Sequence, residues 1–530
     1  MLHINRHGTP CRRLCNSIRC ALAQLLREPA AYVHLRASQQ MREVVVVGRE
    51  KTSLSGWSKP GPMSGTDALM WRVGRNPLTR MNLVDIWLLD AVPEWERLLD
   101  CFHYALIKAP RLTHRVVEPL FDAGPPVWSP DPGFRLTNHL SRIALPPPGD
   151  LRQILDHAER AAADELNPAH PPWDAVLIEG YESDKAALII RWHHSLADGI
   201  GSAWLFEQLT SPTRETEQRT ARRVGVEPLS EGRRVPATPL AAAAELPMRM
   251  GVSMVSAAYD TYRNAGWAFR QMKKMPTLSA QDMAQVPLRM ARLLKNFNTV
   301  PGPSLPSFPR AASPSPHFEV IRIDGDALNN AARAAHAGTA AAYLAAFAAA
   351  YREYGLRNRR PTNTITVSVP VSLRRPGNND SGNFFGLMPL RVSLDDMTVV
   401  QRMQSIHKQL MQTRASFFDD YVPVLASAGS WVPGIWVDAL APSAGELTDA
   451  VLSVVNGVRR PSFLAGAQWI SSICFAPRGT SPCNATMVYH LDHWSIAVHL
   501  DPAVFTDGAL FRELLEEKMG EIIQLAGAET

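Results

Sequence analysis

Ala186-Ala187-Leu188-Ile189-Ile190-Arg191-Trp192-His193-His194-Ser195-Leu196-Ala197-Asp198-Gly199 is the stretch on which the reading of this chain turns. Its apolar run, Ala186 to Trp192, predicts a strand. Ser183-Asp184-Lys185 predicts a turn from an earlier strand at Ala175–Glu179, so the two strands form a hairpin. Ile200–Leu209 predicts a helix with Asp198-Gly199 at its start. Two adjacent histidines therefore sit in a strand-end loop, where scaffolds present reactive groups. A neutral imidazole, with an ordinary pKa of ~6.5, can take a proton from an alcohol. Asp198 is close enough to His194 to shape the turn, by accepting backbone N–H groups or by holding a cation. Gly199 is read as relieving crowding where the chain enters the helix. A plainer reading stands beside this one: two polar residues close a strand, and Asp198 is a helix N-cap.

Outward from that hairpin, Leu83–Leu89 reads as a strand, Glu94–Ile107 as a helix, and Leu151–Leu166 as a helix with Leu151, Ile154, Leu155 and Ala158 on one side. Residues 211–239 are charged and rich in proline and threonine, without a period, and read as a linker. From Leu240 to Phe297 the chain turns basic, apolar and methionine-rich, with helical character, and Pro301–Pro316 is extended. A second half starts near Phe318. It is expected to contain one helix over Ala327–Tyr354, strands at Thr364–Val369 and Phe385–Val392, and a hairpin of Thr486–Leu491 with Trp494–Leu500. A closing amphipathic helix sets Leu510, Phe511, Leu514, Leu515, Ile522 and Ile523 on one side. The expected division is 1–60, a basic and disordered extension; 61–210; a crossover at 211–317; and 318–530. The fold begins near Met63, and its two halves share no residue-level repeat.

Composition narrows the classes. The 530 residues are 46% apolar and 20% charged, ordinary for a globular protein, and a net charge of +5 spread along the chain argues against nucleic acid as a partner. Six cysteines are too few for a disulfide framework and read as reduced thiols of a cytosolic protein. Cys11, Cys15 and Cys20 lie near His3 and His7, but their spacing matches no zinc pair, so no metal is assigned. No run reaches the ~18 apolar residues of a membrane span, and alanine-rich Gly338–Tyr351 reads as a buried helix. The basic N-terminus lacks the apolar core of a secretory signal. Gly-x-Ser-x-Gly, Gly-Lys and G-x-G-x-x-G are all absent, which sets aside serine hydrolases, P-loop enzymes and dinucleotide binders. Met248, Met250, Met254, Met272, Met275 and Met290 alternate with arginines and lysines. This segment, 248–295, reads either as a helix lying on an anionic lipid surface or as one packed over the junction of the halves with its basic face in water.

His193–Gly199 matches the HHxxxDG motif of the CoA-dependent acyltransferase superfamily. From Met63 onward the chain resembles the bacterial wax ester synthase/diacylglycerol acyltransferases. The likeness is carried by Met63-Ser64-Gly65-Thr66-Asp67, Pro171-Pro172-Trp173, Leu177–Gly180, Val369–Arg374, Gly382-Asn383, Phe463–Ala467 and Asp501-Pro502. Two elements depart from it. Gly338-Thr339-Ala340-Ala341 stands where the family has Asn-Asp, and Ser453–Val458 where it has Ser-Asn-Val-Pro-Gly-Pro.

The resemblance implies an α/β (α+β) fold of two chloramphenicol-acetyltransferase-like halves, a pseudo-dimer with an active-site tunnel between them. It implies His194 as general base within the set His193, His194, Asp198 and Gly199, with no acyl-enzyme. Asp198 would pair with Arg374, or failing that Arg375. Asn383 is a candidate for oxyanion or substrate binding. The implied co-substrate is acyl-CoA, without a cofactor, and the acceptor is diacylglycerol or a long-chain alcohol. The implied place is the cytoplasm, peripheral to the inner membrane or lipid droplets through 248–295. The alternatives are a same-fold acyltransferase acting on another hydroxyl or amine, such as a polyketide or glycolipid, and a catalytically weak homologue that binds lipid.

Overall fold

The computed structural model describes residues 57, 60–119, 125–215, 313–372, 374, 382–420 and 448–528. In the first part, helix α1 (Gly65–Val73) leads to strand β1 (Asn82–Leu89), helix α2 (Trp95–Lys108), strand β2 (Leu140–Ala144) and helix α3 (Leu151–Ala163). The hairpin β3 (Trp173–Tyr181) and β4 (Lys185–His193) then runs into helix α4 (Gly199–Leu209). The second part starts with β5 (His317–Asp324), α5 (Gly325–Ala334), α6 (Thr339–Arg357), β6 (Thr364–Ser372), β7 (Phe385–Ser393) and α7 (Val399–Asp420). It continues with β8 (Ala450–Val455), β9 (Phe463–Leu464), β10 (Ala467–Phe475), the hairpin β11 (Cys483–His490) and β12 (His493–Leu500), and α8 (Gly508–Ala528). Helix starts follow the sequence: Ser64, Asp150, Asp198 and Asp324 each accept a backbone N–H of the first turn.

Two six-stranded sheets result, ordered β9-β10-β1-β4-β3-β2 and β7-β6-β8-β11-β12-β5. β1 is buried at every position because both its faces are covered. Val84, Ile86 and Leu88 pack on Ile154, Leu155 and Ala158 of α3, while Leu83, Trp87 and Leu89 join a cluster with Trp173 and Trp469. The second sheet carries the alanine-rich α6, whose small side chains let it lie close to the strands, with Tyr343 and Phe347 fully buried. The apolar run in this region is thus core, and no described helix is long and apolar enough to cross a membrane.

Three features differ from the sequence reading. The segment expected to build the second half lends β10 to the first sheet, where Ile473 lies opposite Ile86 and Phe475 stacks on Phe318 at 3.8 Å. The single helix expected over Ala327–Tyr354 is two helices. His336 adopts φ +50°, its N–H reaches Arg333 O and the Ala337 N–H reaches Ala332 O, a Schellman end, and Gly338 then caps α6. The core also begins before Met63: Trp57 is buried and stacks on Trp204 of α4 at 5.5 Å. The remainder of 1–59, the cysteines at 11, 15 and 20, and the basic segment 248–295 lie outside the described residues.

Candidate active site

The loop after β4 is fixed by its own backbone. The His194 N–H donates to Met81 O at 2.7 Å and the Leu196 N–H to His193 O at 2.9 Å, and Ala197 bridges Gly382. Asp198 satisfies both readings of its role. As an N-cap its Oδ1 accepts the Gly201 N–H at 2.9 Å. As an ion-pair partner it takes the Arg374 fork, Nε to Oδ2 at 3.1 Å and Nη2 to Oδ1 at 3.0 Å. The Phe384 N–H also reaches Oδ2 at 3.1 Å, and Arg374 Nη2 donates to Gly382 O at 2.8 Å. Both side chains are under a tenth exposed, so this bidentate pair joins the β4–α4 loop to the β6–β7 connection in low dielectric. With its oxygens so filled, the carboxylate leaves no place for a cation. Arg375 lies outside the described residues.

Asn383 holds the imidazole of His194. Its Nδ2 donates to Asp67 Oδ1 and to His194 O, each at 2.7 Å, and its backbone N–H donates to Asp67 Oδ1 at 3.1 Å. Those acceptors settle which end of the amide is which. Asn383 Oδ1 therefore faces His194 Nδ1 at 3.0 Å, and because an amide oxygen only accepts, Nδ1 carries the proton. Nε2 is left with its lone pair. Burial lowers the His194 pKa, partly offset by its own carbonyl, Asp198 and Asn383, so the ring is neutral at neutral pH.

His193 is the opposite tautomer. The Ser195 hydroxyl and N–H both donate to its Nδ1, at 2.8 and 3.2 Å, so the proton sits on Nε2. Burial pushes its pKa down to about 3. Trp71 packs edge-on against the ring at 4.8 Å, and a Cβ at Gly74 would fall onto Nε2. The first histidine is a packed support.

The profile "Wax ester synthase/diacylglycerol acyltransferase catalytic domain" matches residues 63–299. A putative diacylglycerol O-acyltransferase of Mycobacterium tuberculosis, Rv2484c, is 28% identical over 466 residues, 87% of this chain and 91% of that protein. The wax ester synthase/diacylglycerol acyltransferase of Marinobacter aquaeolei superposes with a TM-score of 0.60 at 19% identity, covering 88% of this chain and 99% of that one. The first condensation domain of the calcium-dependent antibiotic synthetase has the same fold, with a TM-score of 0.57 at 17% identity over 88% of this chain and 96% of its own. Over residues 63–299 the chain matches the catalytic-domain model of the wax ester synthases/diacylglycerol acyltransferases, and over most of its length it is similar to proteins of that kind. It is an acyltransferase.

Two expectations for this acyltransferase's site need correcting. Asn383 has both amide hydrogens and its backbone N–H engaged, so it has no donor left for an oxyanion. Gly199 relieves no crowding: a Cβ there would meet no described atom within 4 Å, and its φ is not positive. Nothing in the described residues explains that glycine. The tunnel expected around His194 is not outlined by the described residues. A cavity of about 350 Å³, lined by His139, His157, Arg160, Asp174 and Arg191 among others, does not include His194. At the departures from the family, Gly338 caps α6 while Thr339 donates to Asn329 at 2.7 Å, and Ser453–Val455 completes β8. Among the described residues no His, Cys, Asp and Glu cluster could hold a metal.

Asp67 is the residue the sequence reading quoted but left without a role. Its signal was a lone acid in the first turn of a helix among apolar neighbours, which more often complements the helix dipole.

Proposed function

We propose that this acyltransferase moves a fatty acyl group from acyl-CoA to the hydroxyl of diacylglycerol or a long-chain alcohol, with His194 Nε2 as the general base. The observation that carries the assignment is the Asn383 Oδ1 contact at 3.0 Å, which holds the His194 proton on Nδ1 and keeps Nε2 unprotonated. Nε2 takes the hydroxyl proton as the oxygen attacks the thioester carbonyl. When the tetrahedral species collapses, the C–S bond breaks and the imidazolium returns its proton to the departing thiolate. No covalent enzyme intermediate and no cofactor enter this scheme, and acyl-CoA is the co-substrate. Asp198 and Arg374 hold the loop without touching substrate. The same proposal sets the protein in the cytoplasm, with residues 248–295 meeting the lipid surface.

One observation favours a different acceptor. Gly338 and Thr339 stand where the family has Asn-Asp, so a polyketide or glycolipid hydroxyl, or an amine, is the second reading. Palmitoyl-CoA assayed against a panel of acceptors separates the two. In the same assay His194→Ala should lower turnover by ~10²–10⁴-fold while vesicle binding holds. An undiminished His194→Ala protein would remove the base, and wild-type protein that binds vesicles but transfers no acyl group would leave a lipid-binding homologue.

A further inference from the structure

We propose that Asp67 is a positioning residue for acyl transfer, acting through Asn383 to decide which nitrogen of His194 carries the proton. This rests on His194 being the base. The argument starts from the symmetry of an amide. Asn383 fills the same space when its Oδ1 and Nδ2 are exchanged, so shape alone does not orient it. Turned over, it would present Nδ2 to His194 Nδ1, make that nitrogen the acceptor and move the ring proton to Nε2. The base would then be lost without any atom moving far.

Asp67 forbids that exchange. Its Oδ1 accepts both the backbone N–H and the Nδ2 of Asn383, at 3.1 and 2.7 Å, and the second Nδ2 hydrogen is taken by His194 O at 2.7 Å. A turned amide would set Oδ1 against two acceptors, Asp67 Oδ1 and His194 O, and with Asp67 only 3% exposed that repulsion is felt in low dielectric. Asp67 is itself held in place by Ser64, the N-cap of α1, which accepts its backbone N–H and hydrogen-bonds its carboxyl. Its pKa is raised by burial against the lowering effects of Asn383, Ser64 and Arg111. The contact survives in either state, because Oδ1 accepts hydrogen bonds whether or not the carboxyl is protonated. Gly382 gives the carboxylate its approach: its φ is +103°, and a Cβ there would lie 2.9 Å from Asp67 Oδ2. Asp67 bonds Asn383 and not the imidazole, so it positions and does not react.

The test is a double-mutant cycle in the full chain with palmitoyl-CoA and the best lipid acceptor. Asp67→Leu and Asn383→Ala should each lower kcat at least ~10-fold, below the ~10⁴ known for an imidazole held in its wrong tautomer, with the KM for palmitoyl-CoA within about twofold. The double variant should fall no further than Asn383→Ala alone, since both act through one contact. Losing the Asn383 bond to Nδ1–H disfavours the imidazolium, so the acid limb of kcat/KM should move to lower pH in both single variants. Asp67→Asn, whose amide oxygen can accept the same N–H groups, should recover most of kcat and restore the limb. Effects that multiply in the double variant, or an acid limb that stays in place, would overturn the proposal. Should Asp67→Leu fail to fold, the ¹⁵N spectrum of histidine-labelled wild type decides, with the His194 signals assigned by difference from His194→Ala. A proton on Nδ1 supports the relay and a proton on Nε2 sinks it. An active His194→Ala would defeat the base itself, whereas an inactive one with multiplying Asp67 and Asn383 effects would defeat only the relay.

Discussion

Two buried Asp–Arg pairs follow the second strand of a hairpin, one in each sheet. After β12, Asp501 accepts Arg478 Nη1 at 2.9 Å, the Ser313 N–H at 3.1 Å and the Ala503 N–H at 2.9 Å. After β4, Asp198 accepts Arg374, Gly201 and Phe384. The chemistry is the same and the surroundings differ. Arg478 stands on the crossover from β10 of the first sheet to β11 of the second and, through Ser313 O at 3.0 Å, fastens the entry to β5; no residue of the His194 loop is among these partners. Arg374 follows β6 of the second sheet and reaches into the first, next to a neutral imidazole. A buried pair is weak evidence of function on its own. What lies beside the pair separates a structural clamp from one that assembles a site: Arg374 also bonds Gly382, next to the Asn383 that holds His194.

That comparison can be broken by mutation. Asp198→Ala should cost about 3–5 kcal/mol, the usual loss when one partner of a buried pair is left alone, and turnover per folded molecule should fall as well because Asn383 and His194 lose their shared frame. Calorimetry with single-turnover assays on the folded fraction reads both. Asp501→Ala should cost a similar stability and leave turnover per folded molecule within about threefold. Equal catalytic damage from both variants would erase the distinction, and so would an Asp198→Ala protein that melts and turns over like wild type.

The sequence made the chemistry legible and the supports less so. His193-His194 and Asp198 stood out because a strand end, a helix start and a recognisable motif coincide there. Arg374 came from the resemblance, and the structure joins it to Asp198. Asp67 and Asn383 are 316 residues apart, and no local pattern encodes a contact of that range. The helix break at His336 was hidden because alanine propensity runs through Ala327–Tyr354, whereas the end is set by a left-handed histidine and a glycine cap. The placement of β10 was hidden for a related reason: an alternating strand fits either sheet, and tertiary pairing alone chooses.

The two histidines give the next contrast, a smaller one. His193→Ala should lower turnover less than His194→Ala, since His193 Nδ1 serves Ser195 and its ring packs on Trp71. Its proton linkage is visible in stability. The folded pKa is about 3 against an ordinary 6.5, so below pH 6.5 the unfolded chain binds a proton that the folded chain refuses. Stability from this residue is complete above 6.5 and is lost progressively towards pH 3. His193→Ala should flatten that part of the melting-temperature profile. A slope unchanged between the two proteins would show that His193 is not held neutral.

Gly199 brings the smallest expected effect and the sharpest question about the motif. It is the first residue of α4, exposed, with a φ open to any residue and no described atom within 4 Å of a Cβ. An alanine costs no contact there, and in a helix it loses less backbone entropy than glycine, a gain of at most ~0.5–1 kcal/mol. Gly199→Ala should therefore melt at or slightly above the wild-type temperature, with turnover within about twofold. A melting loss would mean that the loop demands glycine for its own conformation. Intact melting with a raised KM for palmitoyl-CoA would instead place the thioester substrate against residue 199, so that the glycine of the motif answers to a bound molecule and not to the fold.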